Sequence, residues 1–89
     1  MIWNVELSRQ AEKFLEKNGV SRKDVFELIQ AALERFQGEN VNIDIRKLKG
    51  KWDGFHRIRK GKVRIIAEFN FDNSSVLVEV IDWRGGVYK

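Results

Sequence analysis

The sequence predicts an α+β domain of order βααβββ, a mostly antiparallel sheet of about four strands with two antiparallel helices on one face. Three observations predict it. Apolar residues alternate at Trp3–Leu7, Val63–Phe69 and Val76–Trp83, the period of a strand with one buried face. Between the first strand and the others, apolar residues recur at helical spacing in two stretches separated by Asn18-Gly19. The 89 residues contain no proline, no Ser-rich tract and no internal repeat, so residues 1–89 read as one domain without a linker.

In chain order, Trp3, Val5 and Leu7 share one face of a short strand, with Asn4 and Glu6 on the other. Ser8 is placed to cap a helix in which Ala11, Phe14 and Leu15 form the apolar stripe, and Asn18-Gly19 stops it. Ser21, with Asp24 three residues on, resembles a capping box and opens a second helix. Its stripe is Val25, Ile29, Ala32, Leu33 and Phe36, and Gly38 ends it. Val41, Ile43 and Ile45 alternate, so that stretch is extended, with its pairing left open. Lys47–Gly54 reads as a basic loop. A hairpin of Gly54–Lys60 and Lys62–Phe69 turns at Lys60-Gly61, with Val63, Ile65, Ala67 and Phe69 toward the core and Lys62, Arg64, Ile66 and Glu68 opposite. After a turn at Asp72-Asn73-Ser74, Val76, Val78 and Val80 face the core along a last strand of Val76–Trp83. The helices are expected to cover the apolar face and leave the other face free.

Charge is concentrated on that free face. Residues Arg46 to Arg64 hold nine basic side chains (Arg46, Lys47, Lys49, Lys51, Arg57, Arg59, Lys60, Lys62 and Arg64) against one acid, Asp53. The first 45 residues hold six basic and eight acidic side chains, so the net charge of +4 arises in the second half. A hairpin loop of two or four residues puts Arg57 directly opposite Arg64, and the two-residue loop also sets Arg59 against Lys62. Like charges facing each other across a sheet destabilise it. An anion is therefore expected among these cations, and Arg57→Ala or Arg64→Ala is expected to be neutral or slightly stabilising. Glu68 and Glu79 are further candidates for the same face, as bases or as ion-pair partners of the arginines.

Composition excludes several other classes. No cysteine means no disulfide and no thiolate metal site, and one histidine argues against structural zinc. No apolar run approaches the ~20 residues of a membrane span, and the start MIWNVELSRQ lacks the pattern of a signal peptide. The expectation is a cytoplasmic protein with no metal, no cofactor and no membrane partner. A basic patch this local points to a polyanionic partner.

The stretch LKGKWDGFHRIRKGKVRIIAEF, Leu48–Phe69, with the closing VIDWRGGVYK, resembles the RelE/ParE superfamily of toxins from toxin–antitoxin systems. Gly54, Phe55, Arg57, Arg59, Gly61, Arg64 and Ile65 carry the resemblance, together with the terminal Arg84 and Val87-Tyr88. The RelE branch implies a ribosome-dependent endoribonuclease that cleaves mRNA and inhibits translation, the toxin of a type II pair. There Arg57 and Arg59 on the first hairpin strand and Arg64 on the second would surround the scissile phosphate, and Arg84 and Tyr88 would complete the catalytic site. The prototype has lysines where this chain has Arg57 and Arg59, and a longer segment before its tyrosine. Lys47, Lys49, Lys51 and Lys62 would contact RNA or an acidic antitoxin. The implied partners are that cognate antitoxin, the ribosome and mRNA. The ParE branch implies the alternative, a non-enzymatic toxin that binds and poisons DNA gyrase. Tyr88 has two uses open to it, stacking on a base or packing the chain end against the sheet. His56 points toward the core beside Ile58, and Trp52 and Trp83 read as packing residues.

Overall fold

The computed structural model describes residues 3–83. Its elements are β1 (Asn4–Leu7), α1 (Arg9–Asn18), α2 (Arg22–Phe36), β2 (Asp44–Lys47), β3 (His56–Lys60), β4 (Val63–Asn70) and β5 (Ser75–Trp83), with a 3-10 turn at Gly50–Trp52. The sheet runs β1-β5-β4-β3-β2, and β1 pairs with β5 in parallel while the other pairs are antiparallel. The α+β reading holds, with five strands where about four were expected. The fifth is β2, the extended stretch whose pairing the sequence left open.

Local chemistry sets the helices where the sequence placed them. The Ser8 hydroxyl accepts from the Ala11 amide and the Ser21 hydroxyl from the Asp24 amide, each satisfying an N-terminal N–H. Gly19 closes α1 at φ +66°, a conformation that favours glycine. Both helices turn their apolar stripes to the same sheet face: Ala11 and Leu15 from α1 join Val25, Leu28, Ile29, Ala32 and Leu33 from α2 over Ile58, Ile65, Ala67, Val76, Val78 and Ile81.

Inside this layer Ile45, Ile58, Ile65 and Ile81 stand in register across β2, β3, β4 and β5. The last three are fully buried, and burying an isoleucine contributes about 1.5–3 kcal/mol. Side chains alternate between the faces of a strand. The residues beside these isoleucines, Asp44, Arg59, Arg64 and Asp82, therefore stand in register on the opposite face. The isoleucine row aligns the charged row.

Two sequence expectations fail at this point. The hairpin turns at Gly61-Lys62, with Lys60 opposite Val63, so Arg59 faces Arg64 and Arg57 faces Ile66. Gly61 has φ +63° at the first loop position, whereas a turn at Lys60-Gly61 would put it second. The slip is two residues, which preserves the face of every side chain while changing its partner. Lys62 lies in the turn and does not face Arg59.

The second correction concerns β5. Ile66 pairs with Val80 and Ala67 with Val78, so Glu79 is the extra residue of a β-bulge. Beyond it the alternation reverses. Ile81 is buried, and Val80 lies opposite Ile66 on the free face instead of in the core. The bulge is held from the helix side, where the Ser8 hydroxyl donates to the Glu79 carbonyl. The Gln10 side chain donates to the Ile81 carbonyl at 3.2 Å and accepts from the Ile81 amide at 3.1 Å. One side-chain amide thus takes the place of a strand partner beyond the end of β1.

Candidate nucleic-acid interface

Two cross-strand rows build the free face of β2, β3, β4 and β5. The outer row is Asp44–Arg59–Arg64–Asp82 and the inner one is Arg46–Arg57–Ile66–Val80. Asp82 reaches its row only because the Glu79 bulge reverses β5.

In the outer row each arginine has a carboxylate on its outer side. Arg59 donates from Nε to Asp44 Oδ2 at 2.9 Å and from Nη2 to the same oxygen. Arg64 donates from Nε to Asp82 Oδ1 at 3.0 Å and from Nη2 to Oδ2 at 3.4 Å. The repulsion expected between facing cations is thus relieved within the chain: Asp44 draws Arg59 toward β2, and Asp82 draws Arg64 toward β5. Arg64 and Asp82 are each only 15% exposed at the side chain. Removing Arg64 would take an ion-pair partner from a carboxylate in a poorly hydrated place, so Arg64→Ala is now expected to destabilise rather than to be neutral or stabilising. Glu68 and Glu79 take part in no ion pair among the described residues; on this face the paired carboxylates are Asp44 and Asp82.

Arg57 differs from its neighbours. It enters none of the ion pairs among the described residues, and its Nε is buried without a hydrogen-bond partner. Burial pushes the guanidinium below its ordinary pKa, the like charges of Arg59 and Arg46 push it further, and Asp44 pulls the other way. An anion beside this guanidinium would relieve the repulsion from Arg59 and Arg46. Arg46 lies directly opposite Arg57 on β2. Sequence reasoning counted Arg46 in the basic cluster but gave it no place in the site. The signal was available, since Asp44 and Arg46 alternate with Ile43 and Ile45.

The remaining predicted residues divide. Lys49 and Lys51 are exposed around the 3-10 turn, and Lys62 is exposed at the hairpin turn. Lys47 sits opposite His56, on the helix side of β2, and does not join the arginines. Arg84 and Tyr88 lie outside the described residues. His56 is edge-on to Phe36 and Phe69, with ring centroids 5.2 and 6.0 Å apart, and its Nδ1 is buried without a partner. Burial lowers its pKa, and Lys47 lowers it further. Trp52 packs edge-on to Phe55 and Trp83 to Phe14. At the far end of the same face a groove of about 600 Å³ is lined by Glu6, Glu68, Asn70 and Asp72 among others. The face is therefore cationic over β3 and acidic beyond it. No group of three or more potential metal ligands occurs among the described residues, and no helix there is long and apolar enough to cross a membrane.

No protein-family model matches the sequence, and no curated protein matches it. Solved structures do. A chain of the archaeal RelE–RelB complex of Pyrococcus horikoshii OT3 is 24% identical, with a TM-score of 0.64 over 97% of this chain and 99% of that one. A chain of the DinJ–YafQ complex of E. coli matches at 12% identity and a TM-score of 0.64, over 99% and 100% of the two chains. The YoeB–YefM complex of Staphylococcus aureus supplies another at 16% identity and a TM-score of 0.60, over 94% and 99%. The chain has the fold of the RelE-type toxins. All three are chains of two-protein complexes, and a chain of the toxin–antitoxin complex RelBE2 of Mycobacterium tuberculosis matches at 17% identity and a TM-score of 0.61 over 94% and 100% of the two chains. In this RelE-type fold the Arg46–Arg57 pair and the Asp44–Arg59–Arg64–Asp82 row occupy the sheet face that the helices leave uncovered.

Proposed function

We propose that this chain is the toxin of a type II toxin–antitoxin pair and acts as a ribosome-dependent endoribonuclease on mRNA. One observation carries the reading. Arg57 is a partly buried guanidinium with no ion-pair partner among the described residues, flanked by Arg46 and Arg59 on the free face of a RelE-type fold. Such a group is short of an anion, and a phosphodiester supplies one in the fork geometry that guanidinium matches.

Cleavage by the neighbouring 2′-hydroxyl requires that hydroxyl to lose its proton, the phosphorane to be held, and the 5′-oxygen to gain a proton. Arg57 suits the second task, and one preorganised donor of this kind contributes about 3–4 kcal/mol to the transition state. Arg59 and Arg64 add to the field from positions fixed by Asp44 and Asp82. Proton transfer has no histidine on this face, because His56 is turned into the aromatic side of the sheet. The ribosome therefore orients the RNA for in-line attack. Arg84 and Tyr88 are proposed to complete the site, Tyr88 by stacking on a base for about 1–3 kcal/mol. Lys49, Lys51 and Lys62, with Lys47 at the sheet edge, supply non-specific attraction to phosphates. A cognate acidic antitoxin covers the cationic face in the resting cell, and the toxin acts in the cytoplasm without metal or cofactor.

One observation favours the gyrase-poisoning reading: Arg59 and Arg64 already have carboxylates, which a phosphate cage would have to share. Induction in cells, with new mRNA 5′ ends mapped against DNA breaks, separates the two. New 5′ ends without DNA breaks support cleavage, and breaks without new ends support gyrase.

A further inference from the structure

Asp44 is a half-exposed carboxylate on an edge strand, set among three arginines. Arg59 binds one of its oxygens through both Nε and Nη2, Arg57 lies beside Arg59 on β3, and Arg46 is two residues along β2. The fields of all three reach it: the Arg59 hydrogen bond holds its carboxyl below the usual range, and the charges of Arg59, Arg57 and Arg46 add to the effect. Its side chain is 41% exposed against 26% for Arg59, so the ion pair opens to the solvent from which a polyanion would arrive. Asp44 thus neutralises, within the chain, the cation that follows Arg57 on the same face of β3.

We propose that Asp44 is a specificity-determining residue, an internal counter-anion that an RNA phosphate must displace to reach Arg59. The inference rests on the reading of this face as an RNA site and adds a threshold to it. An ion pair this exposed is weak, so the threshold is low enough to cross. A free strand meeting the face one phosphate at a time gains only the difference between a phosphate and a carboxylate at Arg59. A strand already held elsewhere, as on a ribosome, crosses it without paying the cost of orientation again. Asp44 therefore lowers affinity for loose RNA more than for presented RNA.

The test uses a fluorescent single-stranded RNA oligonucleotide, titrated with the intact protein at several salt concentrations. Asp44→Asn preserves shape and a hydrogen-bond acceptor while removing the charge. Asp44→Asn should bind the oligonucleotide roughly tenfold more tightly, the scale of one charge-assisted contact. Its plot of log K against log salt should steepen by about 0.7, the value for one more phosphate contact to a single strand. In an Arg59→Ala background the same substitution should gain clearly less, only what one unit of charge contributes, because the rest passes through Arg59. An equal gain in both backgrounds reduces Asp44 to one unit of net charge and overturns the proposal, as does tighter binding by neither. If Arg57→Ala leaves RNA binding intact, the RNA reading of the face fails instead, which is a separate outcome.

Discussion

At the scale of single residues, the arginines of this face are not equivalent. Arg57 has no carboxylate partner among the described residues and suffers repulsion from Arg46 and Arg59, so Arg57→Ala should leave stability unchanged or raise it by up to about 1 kcal/mol. Arg64→Ala should instead destabilise by about 1–3 kcal/mol, because Asp82 loses its bidentate partner while only 15% exposed. Chemical denaturation of the two variants in parallel checks both, and a stable Arg64→Ala protein would contradict the second. His56 adds a pH dependence of definite sign. Burial depresses its folded pKa, so the unfolded chain takes up its proton first as pH falls. The stability His56 provides is complete above its unfolded value of about 6.5. It is lost as pH drops through the lower folded value. Melting temperatures measured from pH 7.5 to 5 should fall for the natural chain and fall less for His56→Phe.

At the scale of elements, the Glu79 bulge and the Gly61-Lys62 turn decide which charges meet. Gln10 holds the backbone of Ile81 through two hydrogen bonds just beyond the bulge. Gln10→Ala should cost about 1–3 kcal/mol in a denaturant titration, since Ile81 loses partners for its N–H and C=O. An unchanged midpoint would show that the bulge stands without this support. These elements also mark the limit of what the sequence displays. The faces of β3 and β4 were legible from alternation, because a slip of two residues leaves every side chain on its face. The partner across the turn was not legible, because both Lys60-Gly61 and Gly61-Lys62 place a glycine in a two-residue loop. The reversal in β5 was hidden for another reason: Val76–Trp83 is apolar at Val78, Val80 and Ile81 alike, and a bulge leaves no mark on such a run. With it went the Arg64–Asp82 pair. Arg46 has no visible place in the site from sequence alone, because alternation shows its stretch to be extended but leaves its pairing open.

At the scale of the whole molecule, helices cover one face of the sheet and the other presents a cationic end and an acidic end. A short acidic partner that covers β2 and β3 would neutralise Arg46 and Arg57 together. We predict that a neighbouring reading frame encodes such a protein and that it co-purifies with this chain; failure of any neighbour to bind in a pull-down would contradict it. Association should weaken steeply with salt, as expected for contact between opposite charges. The central claim is that the unpartnered Arg57 receives a phosphate of mRNA. Its most direct test is the rate of mRNA cleavage on purified translating ribosomes by the natural chain and by Arg57→Ala. We predict cleavage by the first and a loss of at least about 10²-fold in the second, with no loss of folding stability. Equal cleavage by both proteins, or none by either, would contradict the account.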